Sequence, residues 1–215
     1  MLIIQSRLQF MLGRKAAVVM RGSDPRKVHE TAHALARGGF ACIEVTMTVP
    51  GAVDLIRQLT TELPNAMIGA GTVTTAHDAL TCIEAGAQFV VSPVVATDII
   101  RPCREAGVVC IPAGMTPTEI YTAWLAGGTV VKIFPAAPIG GTAFVRALRG
   151  PFPDIPLWVS GGVKASEAQA YFEAGAQLVG LNAAEIPAAL IDAGEWDAVS
   201  GEAAAMLVRA GLAGS

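Results

Sequence analysis

The chain has 215 residues, 53% of them hydrophobic and 15% charged, which suits one domain with a large core and leaves the thinly charged surface of a subunit that buries area against a sister copy. With 15 basic and 18 acidic residues scattered along it, the chain has a formal charge of -3 and no basic stripe, so neither nucleic acid nor an anionic membrane is expected as a partner. Cys42, Cys82, Cys103 and Cys110 form no CxxC pair and no apolar stretch is long enough to span a bilayer, so buried reduced thiols and a cytoplasmic location are expected.

The opening stretch MLIIQSRLQFMLGR is broken by Ser6 and Arg7 too early for a signal-peptide core and reads as a short amphipathic helix. The first apolar run, AAVVMRG (16–22), leads into DPRKVHETAHALARGG. There Pro25 suits a first helical turn, Val28, Ala32 and Leu35 mark one face, and Gly38-Gly39 stops the helix. Further runs follow at ACIEVTM (41–47), AMIGAGTV (66–73), FVVSP (89–93), VVCIPAG (108–114), VVKIFPA (130–136), LWVSGGV (157–163) and LVGLNAA (178–184), with helical segments between them. A last helical segment near Trp196 to Val208 completes eight strand–helix pairs. Open doubly wound sheets of the flavodoxin kind stop at about five or six strands, so the expected fold is α/β, a (β/α)8 TIM barrel with a short N-terminal helix, as one domain over residues 1–215. EAGAQFVV (84–91) and EAGAQLVG (173–180) echo each other, with Gly86 and Gly175 as left-handed helix caps.

Barrel active sites lie at the carboxyl ends of the strands, where this chain offers Arg21, Glu44 with Thr46 and Thr48, Thr72, Ser92, Lys132, and Ser160 followed by Gly161-Gly162. Lys132 is the anomaly, an ammonium in a run of β-branched and aromatic residues that otherwise reads as buried on both faces. Desolvation holds such an amine near its neutral form, the nucleophile that condenses with a ketone into a Schiff base. Glu44, if its face meets that of Lys132 in the barrel mouth, is a proton shuttle for the same chemistry, and Thr46 and Thr72 could hydrogen-bond a substrate carboxylate or hydroxyl. A structural Lys132–Glu44 ion pair would use the same residues, and the threonines also serve simply as strand formers. Gly69, Gly71, Gly161 and Gly162 read as tight strand-to-loop turns, the last two also as a cradle of amides for a phosphate, while His29, His33 and His77 read as solvated helix surface.

EVTMTVPGA (44–52), IGAGTV (68–73), EAGAQFVVSP (84–93), KIFPA (132–136), GPFP (150–153) and SGGV (160–163), in this order, resemble the 2-keto-3-deoxy-6-phosphogluconate aldolase family with its phosphogalactonate and 4-hydroxy-2-oxoglutarate relatives. The resemblance implies a class I aldolase that splits a 2-keto-3-deoxy-6-phospho sugar acid into pyruvate and glyceraldehyde 3-phosphate, without metal or cofactor, as a cytoplasmic homotrimer. It implies Lys132 as the Schiff-base lysine, Glu44 as general acid and base, Thr72 beside the pyruvyl group, Pro93 and Phe134 as pocket walls, and Gly161 and Gly162 as the phosphate loop.

Two positions depart from the family pattern. An EVTxRT arginine that holds the substrate carboxylate is replaced by Thr48, and Arg21, ending the first run in an LRG-like arrangement, is the expected substitute. A Gly-Ser pair after the eighth strand is replaced by Asn182-Ala183, which leaves the Asn182 amide as donor and makes an unphosphorylated substrate, cleaved to pyruvate and glyoxylate, an alternative. A sugar-phosphate isomerase using Glu44 without an imine, and a barrel that binds pyruvate or a sugar acid without turnover, are the readings from other classes.

Overall fold

A computed structural model describes residues 2–213, so residues 1, 214 and 215 of the expected domain lie outside it. The first half of the chain runs α1 (Leu2–Arg14), β1 (Ala16–Met20), α2 (Pro25–Arg37), β2 (Cys42–Thr46), α3 (Ala52–Glu62), β3 (Met67–Gly71), α4 (Ala76–Glu84), β4 (Phe89–Val91) and α5 (Ile100–Glu105). The second half runs β5 (Val109–Ile111), β6 (Ala113–Gly114), α6 (Pro117–Leu125), β7 (Val131–Ile133), α7 (Gly141–Arg149), β8 (Leu157–Ser160), α8 (Ala168–Glu173), β9 (Leu178–Asn182), α9 (Ala188–Ala193) and α10 (Trp196–Arg209).

All strand pairings are parallel and follow the order β5-β4-β3-β2-β1-β9-β8-β7-β6. Nine strands rather than eight arise because Pro112 divides the fifth run. Proline has no N–H to give a ladder, so β5 pairs with β4 while β6 pairs with β7, and the two pieces together close the (β/α)8 barrel.

Side-chain alternation sorts the strand residues into two cores. Ile43, Ile68, Val90, Val131 and Val179 face outward and pack under the helices. Cys42, Met67, Phe89, Val109, Val130, Trp158 and Leu178 face inward, where Leu8 and Met11 of α1 join them. The N-terminal helix is therefore a plug for the end of the barrel where the strands begin.

Local signals set the helix boundaries. Asp24 caps α2 ahead of Pro25, and Thr116 with Glu119 forms a capping box on α6. The EAGAQ echo is a shared turn in full detail. Gly86 and Gly175 adopt φ of +100° and +107°, and Gln88 and Gln177 each use Oε1 to accept an amide near the start of the preceding strand, from Ile68 at 3.1 Å and Leu157 at 2.8 Å. All four cysteines are buried and free, and burial pushes the Cys42 thiol up to about 12. Among the described residues no helix is long and apolar enough to cross a membrane.

Candidate active site

β2 carries Cys42, Glu44 and Thr46 on its inward face, and β7 carries Lys132 on its own. Glu44 is 0% exposed and Lys132 is 3% exposed. Among the described residues both Glu44 carboxylate oxygens lack a hydrogen-bond partner, and no acidic group lies within ion-pair distance of Lys132. A structural ion pair between these two is thereby corrected: they feel each other's charge without touching. Burial raises the pKa of Glu44 and lowers that of Lys132, in each case outweighing the attraction between the two, while Arg21 opposes protonation of both. Both groups are driven toward their neutral forms. The Lys132 amine lies 5.0 Å from the centroid of the Phe134 ring.

Space for the carboxylate comes from β3. A Cβ on Gly71 would collide with the Glu44 side chain, and one on Gly69 with the ring of Phe89. These glycines are not the turn residues that the sequence suggested; they lie inside the strand and leave room for bulky inward neighbours. Gly180 does the same for Trp158 on β8, whose indole N–H is buried without a partner among the described residues. Trp158 was missed by sequence reasoning, although it sits opposite Lys132 in the register of β7 and β8 and an aromatic residue there was a usable signal.

The expected substrate-binding residues divide into engaged and open groups. The Thr46 hydroxyl donates to the Met20 carbonyl at 3.0 Å and meets the exposed Thr48 hydroxyl at 2.8 Å, so Thr46 serves β1–β2 packing first. Thr72 stands just beyond β3 with φ of +60°, a costly conformation for a β-branched residue that recurs at functional sites. Arg21 is exposed at the end of β1 with no hydrogen bond or ion pair among the described residues, and it lines a cleft of about 540 Å³ together with Lys27 and Asn182. The Asn182 side-chain oxygen caps the following turn through the Ala184 amide at 3.0 Å, which leaves its NH2 group outward. Pro93 is half-buried at the end of the fourth run.

Gly161 and Gly162, with φ of +88° and +79°, fold the chain after β8 against the KIFPA segment, where Cβ atoms would press on Phe134, Pro135 and Ala137. The Ser160 and Gly161 carbonyls accept the amides of Ala136 and Ala137 at 2.8 and 3.0 Å, tying the two loops together. The amides of Gly162 and Val163 have no partner among the described residues, an arrangement suited to an anion. Of the histidines, only His77 matches the solvated helix surface expected of it; His29 and His33 are half-buried and share Glu62.

A family model described as KDPG and KHG aldolase matches residues 9–201. A 2-dehydro-3-deoxy-phosphogluconate aldolase from Pseudoalteromonas atlantica is 35% identical over 169 residues, covering 79% of each chain. The crystal structure of KDPG aldolase from Legionella pneumophila, with pyruvate captured at low pH as a covalent carbinolamine intermediate, superposes with a TM-score of 0.81 at 26% identity, over 89% of this chain and 93% of that one. A native KDPGal structure reaches 0.79 at 27% identity, over 90% and 93% of the two chains.

Proposed function

The chain belongs to the KDPG and KHG aldolase family, a premise from which we propose that Lys132 and Glu44 carry out its carbon–carbon cleavage as Schiff-base nucleophile and proton shuttle. The protein is an aldolase, a lyase acting on a small-molecule substrate, and its reaction is the class I cleavage of a 2-keto-3-deoxy-6-phospho sugar acid to pyruvate and glyceraldehyde 3-phosphate. One observation carries the assignment of roles: among the described residues, a buried amine with no hydrogen bond feels the charge of a carboxyl whose two oxygens are both unpartnered. Buried groups of this kind are costly to leave unsatisfied unless a reaction uses them.

In the proposed sequence, neutral Lys132 Nζ adds to the C2 ketone and the amine proton passes to the oxygen, giving a carbinolamine. Protonated Glu44 donates to that hydroxyl, which leaves as water, and the new iminium is balanced by the carboxylate formed. The carboxylate then removes the proton of the C4 hydroxyl as the C3–C4 bond breaks, the electron pair enters the iminium as an enamine, and the aldehyde departs. Protonation at C3 by Glu44 and hydrolysis of the imine release pyruvate and the free amine.

Arg21 grips the substrate carboxylate in place of the arginine that Thr48 replaces, because it is the unpaired guanidinium at the end of the neighbouring strand. Thr72 hydrogen-bonds the pyruvyl group, Thr46 and Thr48 line its floor, and Pro93 and Phe134 wall it. The amides at Gly161 and Gly162, aided by the Asn182 NH2 group, receive the phosphate. An unphosphorylated keto acid remains the second reading, favoured by Ala183 at the position of a family serine. A cleavage rate for the phosphorylated substrate no higher than that for 4-hydroxy-2-oxoglutarate would establish it.

The chain acts as one barrel domain over residues 1–215 in a cytoplasmic homotrimer. Its free thiols and the exposed apolar side chains of Val94, Met115, Tyr121 and Leu125 support that reading. A trimer mass in light scattering is the expected result, and a monomer mass would remove it.

Incubation with pyruvate and borohydride tests the mechanism. It traps an adduct on the Lys132 peptide, and an unmodified lysine by intact-mass and peptide analysis would refute the assignment. Lys132→Arg, which keeps a long basic side chain but cannot form the imine, abolishes cleavage; a proton-transfer enzyme needing only Glu44 would keep substantial activity in that variant.

A further inference from the structure

Four residues apart on α2, His29 and His33 occupy one helix face, and Glu62 closes the neighbouring helix α3. The Nε2 atoms of the two histidines approach the same carboxylate oxygen, Glu62 Oε2, at 2.6 and 2.9 Å. The imidazole rings lie 4.7 Å apart with planes tilted by 53°, so the two nitrogens converge rather than stack. The imidazole side chains are 24% and 26% exposed and the carboxylate 41% exposed, which places the cluster in the groove between the helices with one side open to solvent.

We infer that His29, His33 and Glu62 form a binding site for one divalent transition-metal ion of the zinc type, on the outer helix layer and apart from Lys132 and Glu44. Ligand atoms from the three side chains all lie within 4.8 Å of one another. Tetrahedral zinc with bonds of about 2.0–2.1 Å sets its ligand atoms about 3.3 Å apart, so the His29 and His33 contacts to Glu62 open by about 0.7 and 0.4 Å to admit the ion. Glu30 Oε1 lies 3.4 Å from Nδ1 of His29, the position of the outer carboxylate that fixes the tautomer of a ligating histidine and leaves Nε2 free for the metal.

Two imidazoles and one carboxylate select zinc, cobalt, nickel or copper over magnesium and calcium, which require a shell of oxygens. Water would fill the fourth position. The bound ion clips α2 to α3, the helices that follow β1 and β2.

Calorimetric titration of the chelator-treated protein with zinc chloride tests the site. Wild type takes up one ion per chain, and at a concentration about 100-fold above the dissociation constant its Tm rises by about 5 °C or more. His33→Ala and Glu62→Gln, each verified as folded by circular dichroism, weaken uptake at least about tenfold, whereas His77→Ala on α4 leaves it unchanged. Cobalt substituted for zinc gives visible absorption bands that disappear in His33→Ala. Absence of uptake by wild type at millimolar zinc, or uptake that persists undiminished in both ligand variants, would overturn the site and leave the cluster a hydrogen-bonded clip.

Discussion

Where the strands begin, Leu8 and Met11 of α1 meet Phe89, Val109 and Leu178 in an apolar layer. Where they end, the same alternating positions hold Glu44, Thr46, Lys132 and Ser160, all buried, and the Glu44 oxygens are unsatisfied. One end of the interior is built for stability, through apolar contact and a helical plug, and the other keeps polar groups in an environment that disfavours their charged forms. The contrast teaches that stability and reactivity are separated along the barrel axis, so substitutions at the two ends should move different observables.

The largest effect is expected at Lys132. Lys132→Met lowers cleavage by at least about 10³-fold, since no other group can form the imine. It does not lower Tm, because an amine whose charged form burial disfavours gives way to an apolar side chain of similar length. A fall of several degrees in thermal denaturation would show that the amine supports the fold, and the contrast between the two ends would break.

Glu44→Gln is next, with a rate loss of about 10²–10⁴-fold. The carboxyl keeps its proton in the folded state above its ordinary 4.5, whereas the unfolded chain releases it there. The wild-type fold therefore loses stability as pH rises above that value, by linkage, and Glu44→Gln is spared this loss. The Tm advantage of the variant should widen from pH 4 toward neutrality; a constant difference across that range would contradict the raised pKa.

At the other end, Met11→Ala should cost about 2–5 kcal/mol in denaturant unfolding through the cavity it opens beneath the barrel, with kcat/KM at 25 °C changed by less than about twofold. Loss of activity in the folded variant would show that the plug also shapes the mouth. The smallest effect is expected at the rim. Arg21→Ala raises KM about tenfold with kcat nearly unchanged, and Arg21→Lys recovers only part of it because an ammonium lacks the planar fork that matches a carboxylate. An unchanged KM for both would move the carboxylate anchor elsewhere.

Much of this was legible in the order of residues. Apolar runs separated by capped helices specify strand–helix units, and the Gly86 and Gly175 turns repeat down to the glutamine that follows each. Lys132 could be singled out because an ammonium in a β-branched run is expensive wherever that strand packs. Other features were illegible for a common reason. Gly69, Gly71 and Gly180 look like loop residues in one dimension, yet each is small because a side chain from another strand occupies its space. His29, His33 and Glu62 carry no mutual signal, since the spacing of two histidines says nothing about which acidic residue the neighbouring helix will bring to them.

The sequence by itself determined the secondary elements, their parallel arrangement and the chemical groups available at strand ends, because periodicity, capping and composition are local properties of a chain. Tertiary structure alone decided that Glu44 and Lys132 share the barrel interior without forming an ion pair, that the fifth strand divides at Pro112 to close the ring, and that α1 seals the opposite end. Register and barrel closure set the distances between residues remote in sequence, and those distances, with the burial that accompanies them, fix whether a charge is paired, solvated or driven to its neutral form.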